Sequence, residues 1–310
     1  MKLVSFIFSF RNEEGNLKNL VERVDKSLQK TNGWKYEMIF INDDSSDQSE
    51  KILIELQKKF PIKIINMSRQ FGTNPCVLAG FENCSGDCII YMDSDLQDPP
   101  ELIPELITEY EKGFDVVHTM RTKRLGESRI RLFLTKIAYK VIRILSDINL
   151  QPEVGDFKLI SRRALNKILR QNEFNPYIRG LSVWVGYKQT YVNYERDPRQ
   201  DGKSKFSLMS APQINQFVRG VTSYSSKPLY LGIFLGFFTL FFSLILIIYA
   251  LYAKFVGIAV PGTTGIIVTI SFFSGVILFT LGFIGIYLAK LFEQSRGRPE
   301  YIIKEIIEKK

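Results

Sequence analysis

One histidine, His118, and three cysteines, Cys76, Cys84 and Cys88, are the whole supply of imidazole and thiol groups in 310 residues. The cysteines are odd in number, lack the paired spacing of a zinc site and have no histidine beside them. A structural zinc and a disulfide framework are both disfavoured, and the three read as reduced thiols. No G-x-G-x-x-G follows a hydrophobic strand, which argues against a dinucleotide dehydrogenase. A cleavable signal peptide is not expected, because the acidic Glu13 and Glu14 come too early.

Charge is also missing over long stretches. None occurs from Pro228 to Ala253 or, after Lys254, from Phe255 to Ala289. About 20 apolar residues cross a hydrocarbon layer roughly 30 Å thick, so two membrane helices fit, with Pro261-Gly262 turning inside the second run. Arg219 and Lys227 precede the first run, Lys290, Arg296 and Arg298 follow the second, and only Lys254 lies between. The positive-inside rule then puts both termini in the cytoplasm. Three segments are expected: a cytoplasmic domain over 1–226, two transmembrane helices over 227–290, and a cytoplasmic tail over 291–310. Neither span holds an ionisable residue, which counts against a transporter of a charged substrate. A net charge of +9 and a pI of 9.3 would suit nucleic acid. The basic residues lie near the expected membrane edges, however, so attraction to a bilayer surface accounts for them and no nucleic-acid partner is expected.

What the chain does contain, up to Met92, is strand and helix in alternation. Leu3–Phe8, Tyr36–Ile41, Ile62–Asn66 and Asp87–Met92 read as strands; helices are expected from Asn12-Glu13-Glu14 onward, over Asp47–Phe60 and over Thr73–Glu82. Short connections and this alternation predict an α/β fold with a mostly parallel, Rossmann-like sheet whose ligand sits at the carboxyl ends of the strands. Three polar loops end there: Ser9–Glu14, Asn42–Asp47, and Asp93-Ser94-Asp95-Leu96-Gln97-Asp98-Pro99-Pro100. In the last, Asp93 and Asp95 stand two apart and can face the same way, as two oxygen ligands of a hard cation that also binds a phosphate. A bare D-x-D is equally an ordinary solvated turn.

Further on, Arg121, Lys123 and Arg124 crowd a loop before Ser128–Arg143, where basic and apolar residues interleave at helical spacing. That suits a helix lying at a membrane surface, or a core helix with a solvated basic face. A second segment of this kind is Leu208–Ser223. Between them lie Gly155-Asp156-Phe157, a strand start with one carboxylate, and the basic loop Arg199–Phe206.

Taken together, N-E-E after the first strand, N-D-D-S-S-D after the second, Ser68-Arg69-Gln70-Phe71-Gly72, D-S-D-L-Q-D-P-P-E, Gly155-Asp156-Phe157, R-x-x-G-x-S-K-F and two apolar C-terminal runs resemble the family 2, GT-A-fold glycosyltransferases. Within them, the resemblance is to the membrane-bound polyprenyl-phosphate glycosyltransferases. It implies transfer of a sugar, with glucose from UDP-glucose as the leading expectation, to polyprenyl (undecaprenyl) phosphate at the cytoplasmic face of the inner cell membrane. It implies donor contacts at Ser9, Arg11, Glu13, Asp43, Asp93, Ser94, Arg199, Ser204 and Lys205, with Asp43 toward the base. Mg²⁺ or Mn²⁺ would sit on Asp95 and Gln97. The lipid phosphate would meet Arg121, Arg131 and Thr135, and Asp156 would be the catalytic carboxylate, as proton acceptor or as orienting charge. Departures from the pattern are Ser9 for proline, Arg11 for an aromatic and Asp44 for glycine, all on the base side. A homo-oligomer stays open. Rival readings are a processive polysaccharide synthase and a non-catalytic membrane scaffold or transporter subunit. The first is disfavoured by the small number of spans and by Arg179-Gly180-Leu181-Ser182-Val183-Trp184 where Q-x-x-R-W belongs.

The expected topology is open to direct measurement. A reporter fused after Lys310 should read cytoplasmic and one inserted near Gly262 external; a cytoplasmic signal at Gly262 would refute two spans.

Overall fold

The computed structural model describes residues 1–31, 33–123, 154–171, 173–174, 176–195, 227–257 and 262–308. The first strand, β1 (Lys2–Phe10), carries Val4, Phe6, Phe8 and Phe10 toward one layer of helices and Ile7 toward the other, and all five are buried. A strand covered on both faces reads as a continuous apolar run, which is why Leu3–Phe8 shows no polar alternation. α1 (Leu17–Leu28) buries Leu17, Leu20, Val21, Val24 and Leu28, the stripe of an amphipathic helix. It starts later than expected: Asn12 takes φ +55°, and the Glu13 carbonyl accepts the Asn16 N–H in a turn.

The chain continues through β2 (Trp34–Asn42), α2 (Ser49–Leu56), β3 (Ile62–Met67), α3 (Thr73–Glu82) and β4 (Cys88–Tyr91). A 3₁₀ turn at Pro100–Leu102 leads into α4 (Ile103–Glu111), followed by β5 (Val116–Lys123), β6 (Val154–Ser161), α5 (Arg162–Leu169), α6 (Ile178–Trp184) and β7 (Gln189–Glu195). The order in the eight-stranded sheet is β7-β5-β6-β4-β1-β2-β3, with β8 (Ile303–Ile307) at the outer edge beside β3. β3, β2, β1 and β4 are mutually parallel, as the alternation predicts. β6 runs antiparallel to both β4 and β5, and β8 antiparallel to β3, so the sheet is mixed. Part of what the sequence sets apart as a tail over 291–310 therefore belongs to the sheet.

α1, α2 and α4 cover one face, over a core in which the Phe8 and Phe40 rings stack at 4.7 Å. α3, α5 and α6 cover the other. All three cysteines are free, with Cys76 and Cys88 buried.

A separate compact unit contains α7 (Lys227–Phe255) and α8 (Gly262–Ser295). Gly232–Ala253 and Phe272–Ser295 are long and apolar enough to cross a membrane, with mean hydropathy 2.5 and 2.1. The two helices approach closely where Gly232 faces Thr280, the small-residue contact typical of apolar helix pairs.

Packing of α3 on the sheet needs one glycine. A Cβ on Gly80 would lie 2.5 Å from Ile7 Cγ2 and 2.9 Å from Ile41 Cδ1. Gly80→Ala should therefore destabilise by about 1–3 kcal/mol through overpacking, and lower the melting temperature by several degrees. An unchanged melting curve would show that α3 can shift freely.

Candidate functional site

Strand order places the site. β2 and β3 lie on one side of β1 and β4 on the other, so the loops leaving β1 and β4 part at a switch point, where open α/β sheets bind ligands. Because β6 is reversed, its amino end reaches the same edge, and β5 and β7 bring their carboxyl ends there.

On the β2 side, the first two loops interlock. The Asn12 N–H donates to Ser45 Oγ at 3.1 Å while Asn12 Oδ1 accepts the Ser46 N–H at 2.9 Å. The Glu14 N–H donates to Asp47 Oδ2 and the Gln48 N–H to Glu14 Oε2. Glu13 turns its carboxylate to Asn16 Nδ2 at 2.7 Å. Asp44 sits at φ +58°, a conformation glycine adopts freely, so the departure from the family's glycine keeps the backbone. The Asp43 carboxylate accepts the Phe71 and Gly72 N–H groups at 2.7 and 3.0 Å, fixing the Ser68–Gly72 loop beneath which α3 begins. Arg69 stacks on the Phe71 ring, 4.0 Å from its centroid. Arg11 is exposed at the end of β1.

At β4 the Asp93–Asp98 loop is held from several sides. Ser94 Oγ donates to the Ser9 carbonyl at 2.9 Å. Asp95 Oδ1 accepts the Gln97 N–H at 3.2 Å. Leu96, buried, takes φ +58°, a left-handed conformation that costs a non-glycine residue roughly 1–2 kcal/mol and marks a constrained loop. Among the described residues no three His, Cys, Asp or Glu side chains converge on one point. Asp95 and Gln97, joined through the Gln97 N–H, offer side-chain oxygens of the kind that Mg²⁺ or a similar hard cation binds while keeping its remaining positions for substrate phosphates.

The β5–β6–β7 side contributes groups that the sequence reading missed. The β4–β6 register ends at Tyr91 opposite Lys158, and continuing it sets Asp93 opposite Asp156. Arg179 of α6 donates Nε to Asp156 Oδ1 at 2.7 Å, and its Nη2 meets the other oxygen. Burial alone would raise the Asp156 pKa. Arg179, helped by Lys158 and Arg121, outweighs it and holds the carboxyl well below the usual carboxylate range. Lys158 is wholly buried with Nζ 3.2 Å from Ser182 Oγ, and burial pushes its pKa down to about 8 against the pull of Asp156. The Tyr91 hydroxyl lies 3.4 Å from Asp93 Oδ1, with burial first and then Asp93 and Asp156 pushing its pKa up.

Beside them Arg121 reaches Asp98, which is fully buried, at 3.6 Å and donates Nε to the Tyr194 hydroxyl at 3.0 Å. Its guanidinium lies where a Cβ on Gly155 would be, 2.8 Å away, so Gly155 is what admits Arg121 to this edge. Behind this group the single histidine is core: His118 Nε2 pairs with Gln189 at 2.9 Å, its ring stacks on Tyr191, and burial with Lys158 lowers its pKa to about 4.

Ser9, Asp93, Ser94, Asp95, Gln97, Arg121 and Asp156 are thus gathered around one edge, with Arg11, Glu13 and Asp43 on the loops beside it. Arg131, Thr135, Arg199, Ser204 and Lys205, and the segments Ser128–Arg143 and Leu208–Ser223, lie outside the described residues. Arg179, Lys158, Asp98 and Tyr194 were not foreseen. The available signal for Arg179 was a single arginine at the start of an otherwise uncharged helix.

The folded pKa of Asp156 is depressed, so the stability from its pairing is fully present above the unfolded value of about 4 and is lost as pH falls through the folded one. Arg179→Ala should lower stability near neutral pH by about 1–3 kcal/mol, below the loss typical of a fully buried pair because Asp156 keeps 25% of its side chain exposed. The difference from wild type should narrow below pH about 4. Urea denaturation across that range measures it, and a difference independent of pH would show that Arg179 does not set the charge on Asp156.

Comparison with known proteins identifies the family. Residues 5–169 match the family model described as glycosyl transferase family 2. An uncharacterised glycosyltransferase of Synechocystis sp. is 37% identical over 98% of this chain and 95% of its own length. The bactoprenol glucosyl transferase of Shigella phage SfV is 33% identical over 97% and 98%. Among solved structures, glucosyl-3-phosphoglycerate synthase from Mycobacterium tuberculosis with Mn²⁺, UDP-glucose and phosphoglyceric acid overlays 71% of this chain and 77% of its own at 16% identity and a TM-score of 0.46, too loosely to carry residue roles. The family match spans β1 to α5, the stretch that supplies the interlocked loops, the Asp93–Asp98 loop and Asp156, and with the full-length relatives it shows that the chain belongs to glycosyl transferase family 2, as a glycosyltransferase of GT-A-like fold.

Proposed function

We propose that this enzyme transfers glucose from UDP-glucose to a polyprenyl phosphate, undecaprenyl phosphate in a bacterial membrane, at the cytoplasmic face. The observation that carries the proposal is the 33% identity to a bactoprenol glucosyl transferase over 97% of the chain, a span that takes in both apolar helices as well as the sugar-transfer domain. The edge chemistry supports it. Asp93 and Asp95 stand on one side for a cation and a diphosphate, while Arg121 and Arg179 stand on the other with guanidinium forks suited to phosphate oxygens. The two apolar helices suit an acceptor that lives in lipid, with both termini cytoplasmic.

The proposed acceptor defines what the protein must do. A phosphate monoester has a second pKa near 6, so at neutral pH it is already largely an anionic nucleophile. Asp156, held ionised by Arg179, has little affinity for a proton and serves to orient Arg179 rather than to act as a base. The acceptor oxygen forms a bond to the anomeric carbon as the bond to the UDP oxygen breaks, in line, which inverts that centre. Arg121 and Arg179 would hold the acceptor phosphate and supply fixed positive charge near the transfer point. A divalent cation bound by Asp95 and Gln97, with Asp93 on the ribose and phosphate side, would neutralise charge on the departing diphosphate.

The test is to incubate the purified protein with undecaprenyl phosphate and a panel of radiolabelled nucleotide sugars, with Mg²⁺ or Mn²⁺. Labelled lipid should form from UDP-glucose, and Asp95→Asn should abolish it with folding intact. Labelling from another donor alone would overturn the sugar, and undiminished turnover in excess chelator would overturn the metal.

A further inference from the structure

Two buried asparagines link the far edge of the sheet to the β2 loop. Asn42 and Asn66, each 4% exposed, end the paired parts of β2 and β3 side by side. Glu305 Oε1 on β8 accepts from Asn66 Nδ2 at 3.2 Å, Asn66 Oδ1 accepts from Asn42 Nδ2 at 3.0 Å, and Asn42 Oδ1 accepts the Ser45 N–H at 2.9 Å. The run starts at a carboxylate, which only accepts, and ends at a backbone N–H, which only donates. Those two ends fix which way both amides point. Reversing either amide would bring like groups together in a buried site, at the cost of an unmade hydrogen bond.

The same strand reaches the other nucleotide-side loop. The Ile302 carbonyl accepts the Ser68 N–H at 2.9 Å, and the β3–β8 register shifts between Asn66 and Met67, where that loop departs. Gln57 Nε2 and Lys63 Nζ hold the end of β8 through the Ile307 carbonyl and Glu308. Ser45 and Ser68 thus stand at the roots of the loops that carry Asp43, Asp44 and Phe71, and both are tied to residues 302–305.

Resting on the functional reading above, we propose that β8 is a positioning element of the nucleotide site, with Glu305, through Asn66 and Asn42, holding the Asn42–Asp47 loop in its binding conformation. Glu305 touches no substrate. Its removal should act on donor binding and leave the acceptor side alone.

The experiment uses the full-length protein with Glu305→Ala, Glu305→Gln, Asn66→Ala and the Asn66→Ala/Glu305→Ala double variant. Glu305→Ala should raise the donor KM about two- to tenfold with the lipid-phosphate KM and the melting temperature unchanged, and Glu305→Gln, which keeps an acceptor oxygen, should recover most of it. Hydrogen exchange at the Ser45 amide should quicken in Glu305→Ala. In the Asn66→Ala background Glu305→Ala should add nothing, because the link is already cut. Equal changes in donor and acceptor constants, additive effects in the double variant, or an unchanged Ser45 exchange rate would each overturn the proposal. Titration of UDP onto the same variants reads nucleotide affinity without turnover. If the wild type labels no lipid from any nucleotide sugar, the functional reading falls, while UDP affinity and Ser45 exchange still decide the role of β8.

Discussion

Charged groups brought to the end of a sheet that is covered on both faces lose their water, and each then needs a partner nearby. Asp98 is fully buried and meets Arg121 and Tyr194; Asp156 meets Arg179; Lys158 meets Ser182 and lies within reach of Asp156. An isolated buried charge costs several kcal/mol, and each of these contacts offsets part of that cost for the charge it meets. Helix α6 is part of that arrangement, since it supplies both Arg179 and Ser182. The residues that give this edge its chemistry are consequently among those that hold β5, β6 and α6 together.

Topology sets which charges can meet. In a wholly parallel sheet the edge would receive only the carboxyl ends of strands. Reversing β6 between β4 and β5 delivers the beginning of a strand instead, so Gly155 and Asp156 arrive beside the end of β4. The absence of a side chain at Gly155 then leaves room for the Arg121 guanidinium. One reversed strand thereby brings a carboxylate to Arg179, and that pairing lowers its proton affinity.

Much of this was legible in the sequence, and the unread part has a physical pattern. Strands such as Leu3–Phe8 and Ile62–Asn66 announce themselves because burial on both faces demands short, β-branched and aromatic-rich runs with few polar residues, and Thr73–Glu82 matches α3 residue for residue. The direction of β6 was not legible, because pairing direction depends on partners distant in sequence and leaves no local periodicity. The strand in Ile303–Ile307 was hidden for a related reason: a short edge strand with Lys304 and Glu305 exposed looks like a charged tail until its partner β3 is known. The D-S-D run could be found by spacing, whereas Arg179 and Tyr194 reach the site only through tertiary packing.

The interlocking of the Ser9–Glu14 and Asn42–Asp47 loops carries a consequence for descent. Asn12 both gives to Ser45 and receives from Ser46, and Glu14 is bound in the same reciprocal way to Asp47 and Gln48. A change in either loop leaves the other with unanswered donors, so the two segments, some thirty residues apart in the chain, form one heritable module. Each bond joins a side-chain oxygen of one loop to a backbone N–H of the other, which every residue but proline carries, so descent should keep an acceptor oxygen at each of Asn12, Glu14, Ser45 and Asp47 rather than trade changes between the loops.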